Sequence, residues 1–453
     1  MRDSTIKISK MNLRSFRYTL IVAALLLSAG QLRAQQKLSL AEAAALAAEN
    51  NPELKASGIE NEVSKQQRNV ARSLFLPTIG ITGQVNHYFK RNPFFGFGSE
   101  VSSDKIPYGR FGGEDQLSAA VTAVQPLYNP QAGPTMKQAG LSSRRSQLEE
   151  SLAKVEVNSH VRQAYLQILV LQERINVEQE SIRRNQRVLK DARSLFLQGK
   201  AIRVDTLRAH TAVKNLEPQI LKLQYAVESA KLRLKTLIGI TSDDLILTDS
   251  LYIGGPVTLH DERDVYESAL RDNPEFQLIR LNVEMNKQNI STANAARLPV
   301  LSAVGQYQLQ SQTNGFEFSQ AYYPSASFIG VQLHVPLFTG FSLQSKTKEA
   351  RLKLGQSEIR EEYWREQLRT RVHEVVAQNH ESMERLQTAL SVRETAELSY
   401  EITQYRYQKG IASRLELTDA EFELSTAKSN YLEAVYDYLS SEIEISKLMG
   451  KVE

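Results

Sequence analysis

RYQKGIASRLELTDAE, Arg406 to Glu421, stands near the end of a chain of 453 residues. LFLQGKAIRVDTLRAH, Leu195 to His210, stands 211 residues earlier. Each has an aromatic three residues before a glycine (Phe196, Tyr407). Each has an arginine four after that glycine (Arg203, Arg414) and an acid six after it (Asp205, Glu416). Apolar patterns of helical period flank both. A glycine between two such patterns is a helix stop. One chain therefore carries the same charged turn twice, at 197–205 and at 408–416.

The turns belong to a longer duplication. Asn51–Leu54 (NPEL) returns as Asn273–Phe276 (NPEF), and Leu76-Pro77 as Leu298-Pro299, at an offset of 222. The offset then falls, because one copy has about a dozen extra residues between 90 and 116. It settles at 211 for Gly199/Gly410 and for Ile238-Gly239/Met449-Gly450. The repeats are 35–240 and 262–453, joined by a linker at 241–261. Internal periods of this length call for an architectural explanation first.

Each copy reads as the same series. A helical stretch of about 36 residues (40–75, 262–297) comes first, then two strand-like runs, a very long helix (133–198, 341–408), the glycine turn and a shorter helix (202–238, 413–449). The long helix shows apolar steps of four and three from Val157 through Val161, Ala164, Ile168 and Leu171 to Phe196. The last helix shows them from Ala420 through Leu424, Ala427, Tyr431 and Ala434 to Leu448. A sustained 3.5-residue repeat means helices packed in coiled-coil fashion. Pro218 inside the first short helix removes one backbone hydrogen bond and is expected to kink it. At ~1.5 Å per residue the long helices reach roughly 100 Å and the short ones roughly 55 Å, so two short rods match one long one.

Residues 1–34 read as a secretory signal peptide: Arg2, Lys7, Lys10, Arg14 and Arg17, then YTLIVAALLLSAG at 18–30, then a small residue at Ala34. That segment holds six Lys/Arg and one acid of the chain's 55 and 51, so the remainder carries 49 bases and 50 acids. The basic balance belongs to the leader, and nothing points to nucleic acid. With no cysteine, disulfides, thiolate metal sites and cysteine nucleophiles are excluded. After Gly30 no run approaches the ~18 apolar residues of a membrane helix.

The strand runs are 78–89, 116–125, 300–311 and 325–335. Ile79, Ile81, Val85, Val121, Ile329, Val331 and Leu333 alternate with Thr82, Gln84, Gln306, Gln332 and other polar residues. Period-two alternation gives strands with one apolar and one polar face. Taken alone, such runs favour an antiparallel sheet packed on its own helices. The context reverses that. The chain is exported, its strands have barrel length, and the helical rods bury their own seams. Four strands cannot close a barrel, and open edges are not tolerated in lipid. Two copies would give eight strands and three would give twelve. A hollow helical tube favours three, since eight leave an interior that side chains fill.

LSLAEAAALAAENNPEL at 38–54, the two Leu-Pro pairs, the turn RYQKGIASRLELTDAE and the ending ISKLMG at 445–450 together make the chain resemble the TolC-type outer-membrane efflux family over essentially all of its mature length. The resemblance implies a mainly α protein with a membrane β-barrel contribution. It implies a homotrimer, with a 12-stranded barrel in the outer-membrane lipid continued by a coiled-coil tunnel through the periplasm of a Gram-negative bacterium. The linker 241–261 would lie in the tunnel's equatorial region. The expected function is an outer-membrane channel of a tripartite efflux or type I secretion system, a passive duct. It would dock on a periplasmic adaptor (a membrane fusion protein) and an inner-membrane transporter of the RND or ABC kind.

By the same resemblance the two turns lie at the periplasmic end and close the tunnel. The gate tyrosine falls on Tyr407, its acidic partner on Asp205, and the pore-facing acids on Glu416 and Asp419. The hairpin tips Gly199, Lys200, Gly410 and Ile411 would meet the adaptor. One departure stands out: the family's gate arginine falls on Ala412, and Arg203 and Arg414 are the candidates to replace it. Read without the family, charged residues beside a helix turn are an ordinary solvated cap.

Other chemistry finds no support. The seven histidines are scattered, with His373 and His380 one heptad apart. No P-loop, nucleophile elbow or paired-carboxylate motif is present. Neither an enzyme nor a cofactor is expected. The alternative from another class is a periplasmic coiled-coil adaptor or scaffold, which has no need of lipid-facing residues at Ile79, Ile81, Val331 and Leu333.

Overall fold

Proline, glycine and period-two alternation divide the chain into one series of elements that is run through twice. The computed structural model describes residues 36–95, 108–110, 112–241, 245–251 and 259–452. The expected signal peptide lies outside the described residues, as do 242–244 and 252–258 of the expected linker. In chain order come β1 (Gln36–Leu38), α1 (Leu40–Asn50), α2 (Pro52–Ser73), β2 (Thr78–His87), the short β3 (Pro93–Phe95) and β4 (Tyr108–Arg110), β5 (Asp115–Tyr128), α3 (Ala132–Leu197) and α4 (Arg203–Ile238). After β6 (Leu245–Leu247) follow α5 (Glu262–Asp272), α6 (Pro274–Ala295), β7 (Val300–Thr313), β8 (Ser325–His334), α7 (Ser342–Gln408) and α8 (Arg414–Leu448). The fold is mainly α with a β contribution. Among the described residues no helix is long and apolar enough to cross a membrane.

The helical stretch expected at 40–75, and again at 262–297, is two helices. Each breaks at an Asn-Pro step, Asn51-Pro52 and Asn273-Pro274. Proline disfavours helical backbone in the residue before it and suits the first position of the next helix. The asparagine makes the break useful. Asn51 Nδ2 donates to Leu237 O at 2.7 Å, and Asn273 Nδ2 donates to Leu448 O at 3.0 Å. In both copies the accepting residue stands two before a glycine of left-handed backbone, Gly239 or Gly450. A Cβ on Gly239 would lie 2.5 Å from Asn50 O, and one on Gly450 2.6 Å from Asp272 O. Two motifs distant in the sequence are thus one lock, made once per repeat.

Two compact units form, and neither is a sequence repeat; each takes parts of both. The first comprises the described parts of Met1–Pro52, Glu156–Leu259 and Ala377–Glu444. Its seam residues Val157, Val161, Ala164 and Ile168 on α3 are buried, as are Leu424, Ala427, Ala434 and Tyr438 on α8. One apolar cluster joins Leu386 to Ala434, Val435 and Tyr438, and another joins Leu166 and Val170 to Ile443. β1 and β6 pair in parallel. Tyr165 fastens them to α3, its hydroxyl reaching Leu38 O at 2.9 Å and Asp249 Oδ2 at 3.0 Å. So the expected linker contains a strand.

The second unit comprises Glu53–Val155, His260–Val376 and Ile445–Glu453 in their described parts. Val265, Ala269, Leu368, Val372, Val375, Val376 and Ile445 form its helical core. Phe276 stacks on Trp364, centroids 5.3 Å apart. The unit also holds an antiparallel sheet of order β2-β5-β7-β8. β5 continues through Pro126 with a register shift before Tyr128, the kind of place where a strand tolerates proline. β8 ends at His334, before Pro336.

Candidate functional site: the two helical turns

Both turns close with the same backbone. Gly199 and Gly410 each have φ 73°. Gly199 N donates to Phe196 O and Gly410 N to Tyr407 O, both at 2.9 Å. Lys200 N donates to Leu195 O and Ile411 N to Arg406 O, again both at 2.9 Å. This six-to-one closure needs a left-handed residue, which glycine adopts without strain. The aromatic three before the glycine is thus the residue whose carbonyl receives the glycine N–H. Lys200 and Ile411 stand exposed at the tips.

Beyond the glycine the turns part. α8 starts with a capping box: Glu416 N donates to Ser413 Oγ at 3.2 Å, and Ser413 N to Glu416 Oε1 at 3.0 Å. α4 starts after Ile202, whose side chain makes no cap.

Arg414, the second residue of the Ser413 cap, crosses to the first turn. Its guanidinium donates to the Asp205 carbonyl through Nη1 and lies 3.7 Å from Asp205 Oδ1. Its side chain is only 15 % exposed, and that of Asp205 29 %. Of the two candidate arginines, Arg414 reaches Asp205, while Arg203 stands exposed at the first position of α4. Ala412, where the resemblance leads one to expect an arginine, is buried.

Tyr407 packs against the cluster of Tyr400, Leu417, Ala420 and Leu424. Burial pushes its hydroxyl up from the ordinary value, Arg414 opposes this, and Asp191 and Asp205 add to it. Among the described residues no hydrogen bond joins Tyr407 to Asp205. Glu416 is spent locally, on Ser413 and, at 3.8 Å, on Arg406. The Ser413 backbone N–H and hydroxyl hold its carboxyl below the ordinary range. Asp419, one turn on, is exposed.

The sheet places the second set of residues. Ile79, Ala123, Gly305 and Ile329 face one another across the four strands, and Ile81, Val121 and Tyr307 form the adjacent row. Val331 and Leu333 continue this face. It is bare in the single chain: Ile79 is 73 % exposed, Ile81 78 % and Ile329 92 %. Thr82, Gln84, Asn86, Ser118, Gln308 and Gln310 occupy the opposite face.

Sequence reading missed the Ser413–Glu416 box, although its Ser-x-x-Glu pattern is visible. It also missed Arg184 and Glu421, which lie 237 positions apart and meet at 2.7 Å. No local pattern announces such a pair.

The model of the outer membrane efflux protein family matches residues 43–240 and 265–451, most of the chain. The outer membrane protein TolC of Vibrio cholerae is 23 % identical over 418 residues, covering 91 % of this chain and 90 % of that one. The alkaline protease secretion protein AprF of Pseudomonas aeruginosa is 24 % identical over 413 residues, covering 89 % and 82 %. Among solved structures, CusC shares the fold with a TM-score of 0.72 at 16 % identity, over 91 % of this chain and 92 % of that one. These likenesses are to channels; none supports the adaptor reading. The chain belongs to the outer membrane efflux protein family and is an outer-membrane channel for efflux or secretion.

Proposed function

We propose that three copies of the chain close one channel, with the sheets joined into a 12-stranded barrel and the helical hairpins into a tunnel gated at the two turns. The observation that carries this reading is the four-stranded sheet: β2 and β8 are its outer strands, and its apolar face is bare. An open sheet edge cannot stand in lipid, and the smallest membrane barrels need about eight strands. The apolar face (Ile79, Ile81, Val121, Ile329, Val331, Leu333) meets lipid in this reading. Gln84, Gln308 and Gln310 then line the lumen, where uncharged amides neither repel nor retain ions. The repeats 35–240 and 262–453 are the units of duplication, and 241–261 joins them at the tunnel's equator.

The turns form the periplasmic mouth. Tyr407, Asp205 and Arg414 hold it shut, with Arg414 taking the place of the arginine missing at Ala412. Asp419 and Glu416 gather into acidic rings by threefold symmetry and favour cations, as charged constrictions do. Gly199, Lys200, Gly410 and Ile411 are the tips that an adaptor grips. An inner-membrane pump of the RND or ABC kind supplies the energy, and the duct itself performs no catalysis and uses no cofactor. AprF is named for secretion of a protease and a further relative, OpmQ, for export of pyoverdine, so either cargo class suits the duct.

Native mass spectrometry of the detergent-extracted protein tests the assembly. A trimer is expected. A stable monomer or dimer as the only species would overturn the closed barrel and with it the threefold gate.

A further inference from the structure

Behind the turns a charged string crosses three helices of the first compact unit. Glu421 on α8 is 7 % exposed. Both of its oxygens are held from α3: Ser181 Oγ donates to Oε1 at 2.8 Å and Arg184 Nε to Oε2 at 2.7 Å. Arg184 also lies over the Tyr400 ring of α7, 5.7 Å from its centroid, and its Nη1 donates to Glu180 at 3.3 Å. Glu180 accepts as well from Lys428 of α8 at 3.1 Å, and Lys428 lies 3.4 Å from Glu397 of α7. The string Glu397–Lys428–Glu180–Arg184–Glu421 ties the first hairpin, α3–α4, to the second, α7–α8.

The electrostatics agree with the geometry. Burial pushes the Arg184 guanidinium down, but Glu421, Tyr400 and Glu180 together outweigh it and the group ends above its ordinary value. Burial likewise opposes the charge on Glu180, and Lys428 and Arg184 overcome it, leaving the carboxyl below its ordinary range. Taking away one member of such a buried pair strands the other charge, which costs far more than losing a surface pair. Glu421 lies seven residues beyond Arg414 on α8, roughly 10 Å along the axis. The string is therefore separate from the Asp205–Arg414 contact.

We propose that Glu421 is a positioning residue for channel closure: clasped by Ser181 and Arg184, it holds the second hairpin on the first, and the tunnel mouth opens only when this buried contact breaks. The proposal rests on the reading of the turns as the closed end.

Planar-bilayer recordings of the full-length protein test it. Glu421→Gln keeps the shape and removes the charge. Its resting conductance should rise roughly tenfold, the shift that follows when one buried charge-assisted contact of the closed state is lost. The unitary conductance of the open channel should not change. Because the chain has no cysteine, Ser181→Cys/Glu421→Cys joined by a short, reducible bis-thiol cross-linker gives one defined link, and the same protein serves as its own control. Linked, it should rest closed even with Asp205→Ala added; reduced, it should leak. Equal conductance in the linked and reduced states, with the link confirmed by mass, overturns the proposal. An Asp205→Ala single variant that leaks while Glu421→Gln does not leaves the gate reading standing and removes the clasp. Parental conductance in both variants removes the gate reading itself.

Discussion

The turn at Gly199 and the turn at Gly410 have the same φ and the same pair of closing hydrogen bonds, yet the helices that leave them begin differently. α8 leaves through a Ser413–Glu416 box and sends Arg414 across to the other turn. α4 leaves through an uncapped Ile202 and supplies the acceptor, Asp205. Duplication preserved the backbone of the turn, because its hydrogen bonds depend on one glycine and on chain spacing. Side chains were free to specialise. One turn became the donor and the other the receiver, so the hairpins complement each other instead of repeating.

Arg414 is where this asymmetry should break most visibly. Arg414→Ala removes an ion pair and a charged donor to the Asp205 carbonyl, worth about 1.5–3 kcal/mol together. Arg203→Ala, four residues after the other glycine, should cost under ~0.5 kcal/mol, as an exposed surface charge does. Resting conductance and hydrogen exchange at the two turns both report the difference. Equal effects from the two substitutions would mean that the turns are equivalent after all.

The caps come next. Ser413→Ala should loosen the first turn of α8 by about 0.5–2 kcal/mol. The reciprocal change sharpens the comparison: Ile202→Ser gives α4 the cap it lacks and should tighten its first turn by up to about 1 kcal/mol. Amide exchange of residues 203–206 and 414–417 measures both. A Ser413→Ala protein with unaltered exchange would show that Arg414, not the box, fixes the start of α8.

How much of this the sequence disclosed follows from the range of each interaction. The alternation of helix, strands, long helix and short helix is local, written in periods of 3.5 and 2 and punctuated by glycine. Val157, Val161, Ala164 and Ile168 mark the seam by their spacing alone. The break at Asn51-Pro52 was also local, but the apolar pattern on either side masks it. What Asn51 and Asn273 do was not legible, since their acceptors, Leu237 and Leu448, lie 186 and 175 residues away. The same holds for Arg414 with Asp205. The spacing after glycine marks both residues, yet it does not say that they meet each other, or that Glu416 turns back to Ser413.

Acidity should separate the turns by the smallest amount. Glu416 is held as a carboxylate by the Ser413 N–H and hydroxyl, and its pKa in the folded chain lies below the ordinary 4.5. A depressed folded pKa means that the unfolded turn binds the proton first as pH falls. The cap therefore contributes fully above the ordinary carboxylate range, weakens as pH drops through it, and is lost once pH passes the folded value. Glu416→Gln keeps the shape of the carboxyl group and removes the titration, so its first turn should open equally at pH 6 and at about pH 3.5. In the parent, protection of 414–417 relative to that variant should fall over the same interval. The start of α4, with Ile202 at its cap, should show no such loss attributable to Glu416. Hydrogen exchange on matched samples decides it: if 203–206 lose protection in step with 414–417 in the parent, and do so again in Glu416→Gln, acid acts on the hairpins as a whole and the capping box is not the titrating element.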